Sequence, residues 1–428
     1  MYNIRINRKK IDLQLCIIAL ISLGELADIY EYIMPRFVIY IIIAFVILIS
    51  ILHLKIRKTN KITKHGIFGF FLGSMLAFII LGLLTLNNIL RVDIGCFIAC
   101  FIFIITMTDN KNIDWIDYIY TPMISFSVFY GIMTYVCWLN EGLYLSKIAP
   151  IFGTYESFLI ECYKQGYIAG MTAHYTRNGI YTAFGLITFA SLLFAKNYKK
   201  LYIHVMFIII MIGALLLTGK RAHLLFVICA LLFSYYIYFS NRPKTRMMNF
   251  ILMGVILLFG INILINFVPA FGNVFDRFDN LLTDENVETR FRLWSMAWDQ
   301  FKENPIFGIG WGHFMQTTVI EFGTNLNVHN MYIQLFCETG LIGAVVFITF
   351  FIGVYIMSII TFYDQRRRQD VYRKNAGRDL FFSVAVQTFF LLYCFSGSPF
   401  DDIHFYIIYL LAVGVGFLYY STYYKRDI

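Results

Sequence analysis

Charge is scarce in this sequence. Only 14% of its 428 residues are Asp, Glu, Lys or Arg, against 59% hydrophobic and 18% aromatic. A soluble fold of this length cannot hide so much apolar surface, which excludes a water-soluble globular class and asks for a bilayer as solvent. The eight cysteines show no CxxC or other ligand spacing, and Cys16, Cys96, Cys100, Cys137, Cys229 and Cys394 stand singly inside apolar runs. Neither a disulfide framework nor a structural metal follows from them. The basic N-terminus has no small-residue cleavage site behind it, so the first apolar run reads as a retained signal anchor. No repeat, low-complexity tract or linker marks a second domain.

What fills the sequence is apolar runs of roughly 17–25 residues, the length that crosses a hydrocarbon core. Uninterrupted runs such as Phe37–Leu54 exclude a transmembrane barrel, whose strands alternate apolar and polar positions. The expected fold is an all-α polytopic membrane protein with about 12 transmembrane helices. They fall near 11–33, 37–54, 66–86, 93–107, 118–139, 178–195, 201–217, 222–239, 248–268, 331–362, 380–396 and 405–423. The tenth is too long for one simple crossing, and its first turn or two is expected either to project beyond the bilayer or to bend at Gly340 and Gly343.

The formal net charge of +9 invites a nucleic-acid partner, but the charges sit in short loops between spans and report topology instead. About two thirds of the Lys and Arg residues lie on one side, richest in KIRKTNKITKH and DQRRRQDVYRKNAGR. That side, with both termini, is expected to be cytoplasmic. Residues 1–428 then form a single integral membrane domain whose two long loops, 140–177 and 269–330, face outward, the larger one containing short helices.

Chemistry is concentrated between Glu288 and Gly343. An amphipathic helix is expected at about 287–303, with Arg290, Trp294, Ala297 and Phe301 at helical spacing, closed by Asn304 and Pro305. Arg290 and Arg292 stand on the outer side against the positive-inside bias, and a guanidinium binds phosphate oxygens as a planar fork. Their plainer use is pairing with Asp284, Glu285 or Glu288. Lys220 and Arg221 lie wedged between two apolar runs, where cations are costly without a partner, although snorkelling would also account for them. His329 is the general-base candidate, with an ordinary pKa near 6.5 suited to neutral pH; His174, His313 and His404 are on or near the same face. Asn330 is a plausible N-cap for the tenth run. GIGWG (308–312) lacks the lysine of a P-loop and follows no strand, so its glycines, Gly310 among them, point to tight-turn geometry and not to a nucleotide. Glu338 sits beside an apolar run, placed to orient His329, to pair with an arginine, or to face water. The large outer loops hold no DxD element. Asp401–Asp402, an acidic pair without a third ligand, is a poor metal site.

With these residues in view, the chain resembles the O-antigen polymerase and O-antigen ligase superfamily. The resemblance rests on RFRLW…NPIFGIGWGHF followed by HNMYIQLFCETGLIG, and on the TGKRA turn that opens a span. It implies a membrane glycosyltransferase whose substrate is an oligosaccharide on undecaprenyl pyrophosphate, with no cofactor, divalent metal or nucleotide sugar. Under it, Arg290 and Arg221 hold the pyrophosphate, with Arg292, Lys220 and Arg177 as further candidates. His329 deprotonates or positions the acceptor hydroxyl, and Glu338 supports the local hydrogen-bond network. The expected activity is joining repeat units into O-antigen or capsular polysaccharide outside the bacterial cytoplasmic membrane, with a chain-length regulator protein as a partner to look for. A ligase using lipid A core or another acceptor shares the same donor site. A flippase is the alternative from a different class, and it would line a path at membrane depth with charge.

Overall fold

The computed structural model describes residues 8–33, 35–53, 73, 92–109, 115–195, 201–267, 285–368, 375–400 and 402–423. Among these, every regular element is helical. They are α1 (Arg8–Glu25), α2 (Ala27–Tyr32), α3 (Arg36–His53), α4 (Val92–Asp109), α5 (Trp115–Leu139), α6 (Glu156–Lys164), α7 (Tyr175–Leu192), α8 (Leu201–Leu217), α9 (Arg221–Tyr238), α10 (Pro243–Phe267), α11 (Glu285–Glu303), α12 (Phe314–Phe322), α13 (Met331–Arg368), α14 (Ala376–Tyr393) and α15 (Ile403–Tyr423), with short helical turns through 141–155. The expected span 66–86 (Gly73 apart), the basic loop KIRKTNKITKH, Pro269, Asp284 and Asp401 lie outside the described residues.

Each of the other expected spans coincides with a helix, and the first is broken at Leu26 into α1 and α2. Among the described residues, four helices, α5, α9, α13 and α15, are long and apolar enough to cross a membrane. The apolar stretches of α3 and α8 are only Phe37–Leu52 and Leu201–Leu217, and α14 opens on Arg378 and Asp379.

Packing centres on α14. It is buried on all sides and lies against α7, α9, α13 and α15, as expected of a helix apolar all round. The perimeter is the reverse of a soluble protein's. Ile41, Leu48 and Leu52 of α3, Leu252 and Leu258 of α10, and Ile352 and Ile356 of α13 point outward. In water such a surface aggregates; against lipid tails it is the appropriate solvent contact.

One buried charged cluster inside the bundle is fully paired. Arg378 bonds Asp117 and Asp379, at 2.8 Å for its Nε to Asp379. Tyr419 donates to Asp379 at 2.6 Å, and the Arg378 guanidinium lies 4.0 Å from the Tyr120 ring centre. Buried charges are tolerated only with such satisfaction. This cluster ties the start of α5, the start of α14 and the end of α15 at one end of the bundle. At the opposite end, the loops 140–177 and 285–330, the turn 218–220 and the segment 394–400 come together. The chain therefore gathers its expected outer segments on one side.

Candidate functional site

The site is built around a break in α13. At Gly340 the backbone leaves the helix (φ 65°, ψ −172°), a region open essentially to glycine, and the bend expected there occurs while Gly343 stays within the helix. The break frees the carbonyls of Cys337 and Glu338. Ile309 and Gly310 take them with their N–H groups, each at 3.0 Å. In return Leu341 N–H donates to the Pro305 carbonyl at 2.8 Å. Backbone meets backbone so closely that a Cβ on Gly308 would lie 2.5 Å from the Glu338 carbonyl carbon, and one on Gly340 2.2 Å from the Ile306 oxygen. The NPIFGIG and ETG motifs are thus two halves of one clasp. Gly340→Ala should cost more than the order of 1–3 kcal/mol due to the dihedral alone, visible as a collapse of folded yield and thermal stability in detergent; a variant as stable as the parent would refute the clasp.

On the N-terminal side of this clasp, α11 packs along α13 through Leu293 and Ala297. Arg290 continues that face, one turn before Leu293 and Trp294. Arg292 is two residues further on, about 200° round the helix, and so points elsewhere. It is exposed, pairs with Glu321 at 3.3 Å and lies over the Phe322 ring at 5.0 Å. Arg290 is half-buried, and among the described residues no carboxylate pairs with it.

His329 stands beside Arg290, on the strand of backbone that leads into α13. It is the one non-glycine residue with positive φ (55°) among the described residues, a conformation costing roughly 1–2 kcal/mol. Three sets of bonds hold it there. The Trp294 indole N–H donates to the Val328 carbonyl at 3.0 Å. Met331 N–H donates to the Cys394 carbonyl at 2.8 Å. Asn330 caps α13, its Oδ1 accepting from Tyr332 and Ile333 at 3.1 and 3.2 Å. The ring nitrogens of His329 make no hydrogen bond among the described residues. Burial, then the nearby charges of Arg290 and Lys220, push its pKa down to about 4. At neutral pH it is an uncharged imidazole with an available lone pair, flanked by two cations.

Lys220 reaches this point from the turn before α9, its Nζ 4.3 Å from the Tyr175 ring centre. Arg221 opens α9 beside it and is half-buried. Two other candidates have structural partners. Glu338 is buried and accepts from Phe314 N–H at 3.2 Å and Gln334 Nε2 at 3.1 Å. It anchors the start of α12. Arg177 is ion-paired with the buried Asp28, with Asp402 at 3.9 Å. Asp28 also accepts from Ala173 N–H at 3.0 Å. Asp28 is a further residue of this end, and its signal in the sequence is a carboxylate standing within an apolar run. The site thus joins Arg290, Lys220 and His329; it leaves Arg292 outside and finds Arg177 already neutralised.

These features define a helical membrane protein with a cation-flanked imidazole at one end of its bundle. Residues 206–348, about a third of the chain, match the family described as O-antigen ligase. The matched stretch runs from α8 into α13 and includes Lys220, Arg221, Arg290, His329 and Glu338. No curated protein matches the chain in sequence.

Proposed function

We propose that the protein is a polysaccharide polymerase that transfers a growing glycan from undecaprenyl pyrophosphate to the end of another lipid-linked repeat unit. The observation carrying this reading is the pair of cations, Arg290 and Lys220, flanking a neutral His329, with no carboxylate paired to Arg290 among the described residues. Such a site suits a phosphate-bearing donor and an acceptor hydroxyl together. In the step envisaged, His329 removes the proton as the hydroxyl oxygen bonds to the anomeric carbon. The bond from that carbon to the phosphate oxygen breaks, and its electron pair leaves with the pyrophosphate. Arg290, with Lys220, offsets the charge that develops on the leaving group.

The charge bias of the loops supports an extracytoplasmic site with both termini inside, where a donor anchored by its lipid would meet the clustered cations. The ligase reading is favoured by the family description itself and needs the same donor site with another acceptor. Reconstitution separates the two. Purified protein in nanodiscs, given its undecaprenyl-pyrophosphate-linked repeat unit alone, is expected to yield a ladder of lengths on a gel. Transfer only to an added acceptor would establish the ligase, and lipid translocation without transfer would overturn the transferase reading.

A further inference from the structure

We infer that His174 is a further binding residue of this site, its Nε2–H donating to a phosphate oxygen of the ligand that Arg290 and Lys220 attract. The inference rests on the phosphate-bearing donor proposed above. His174 lies outside the residues that match the family and comes from the other long loop, 140–177.

Its geometry fixes what it can do. His174 is the N-cap of α7, and its Nδ1 accepts from Thr176 N–H at 3.0 Å. A neutral ring accepting at Nδ1 carries its proton at Nε2. Among the described residues that N–H has no protein acceptor, and it is not sealed from solvent. The ring is held by its neighbours, with centroids 4.7 Å from Tyr175 and 4.9 Å from Phe158. Tyr175 is in turn the ring that Lys220 lies against. Lys220, Arg177 and His329 are all near enough to act on His174 electrostatically, and with burial, the largest cause, they hold its pKa well below the ordinary value. Such a ring stays uncharged at neutral pH, and its cap bond keeps it a donor. His329 is different, because neither of its nitrogens is committed to the backbone. One histidine is therefore arranged to give a hydrogen bond and the other to take a proton. Amid cations, an anionic oxygen is the acceptor that this solvent-accessible donor suits.

Two substitutions split the two nitrogens. His174→Asn keeps an acceptor where Nδ1 sits and so keeps the cap; His174→Gln places an amide N–H near Nε2 and gives up the cap. Equilibrium binding of farnesyl pyrophosphate and of inorganic pyrophosphate to the full-length protein in detergent is the readout, alongside thermal stability. His174→Asn is expected to weaken farnesyl pyrophosphate about tenfold or more, the effect of losing a hydrogen bond to a charged group, at unchanged melting temperature. His174→Gln is expected to bind within a few-fold of wild type while melting earlier. The same pattern with inorganic pyrophosphate would identify free pyrophosphate as a ligand too; a response confined to farnesyl pyrophosphate would assign the site to the lipid-borne group. Unchanged binding in His174→Asn, or affinity that simply follows stability in both variants, overturns the inference. If Arg290→Ala abolishes binding while His174→Asn does not, this inference alone fails. If the wild type binds neither probe, the donor reading fails with it.

Discussion

Replacing His329 with alanine is expected to lower kcat by about 10²–10⁴-fold, the usual contribution of a positioned base, with donor affinity within a few-fold of wild type. Arg290 and Lys220 remain in place, so the donor should still bind. A parallel loss of donor affinity and turnover would remove the base assignment. The pH dependence carries a second check. A base works unprotonated, so activity falls as pH drops through its pKa. In the free protein that pKa is pushed down to about 4 by burial and by the two cations. A bound pyrophosphate brings negative charge that offsets both cations and draws the pKa back up. The acid limb of kcat should therefore lie at higher pH than that of kcat/KM, since the two report the loaded and the free enzyme. Coincident limbs near the ordinary histidine value would contradict the electrostatics described.

Arg290→Lys should lose about ten- to a hundredfold in kcat/KM although its charge is kept. A lysine is a point charge and cannot present two parallel N–H groups to phosphate oxygens, and a hydrogen bond to a charged partner contributes about 1.5–3 kcal/mol. Arg292→Lys is the natural control, because Arg292 faces Glu321 and Phe322 across an exposed surface. A pair like that contributes about 0–1 kcal/mol. Equal losses from the two substitutions would show that the helix face does not decide which arginine meets the ligand. Steady-state rates with the lipid-linked repeat unit, at matched protein levels, decide it.

Much of this end of the molecule could be read along the chain because local rules governed it. The face of α11 followed from residue spacing, Asn330 caps α13 as its position suggested, and Gly340 breaks the tenth run where a glycine stood within it. The difference between Arg290 and Arg292 was also implicit in that spacing, since residues two apart on a helix never share a face. What stayed hidden depends on how distant helices dock. Arg177 meets Asp28 across 149 residues of sequence, and Arg378 meets Asp117 across 261. Nothing local says which carboxylate a buried arginine will find. Trp294 looked like part of an apolar stripe, yet its indole N–H secures the backbone beside His329. His174 was one of several histidines on a face until its cap bond distinguished its two nitrogens.

The clasp at Gly340 has a consequence for reach. The stretch Met331–Thr339 is a rigid rod with His329 just before one end and the glycine turn fastened to the other. At 1.5 Å per residue it measures about 13 Å. The imidazole is thus suspended at a gauge set by counting residues, with Trp294 and Asn330 fixing its approach to the rod. A single-residue insertion in that rod would swing His329 by about 100° and carry it off the face shared with Arg290. The spacing between the HN and ETG motifs is in this sense a length standard, with the break in the span as its zero mark.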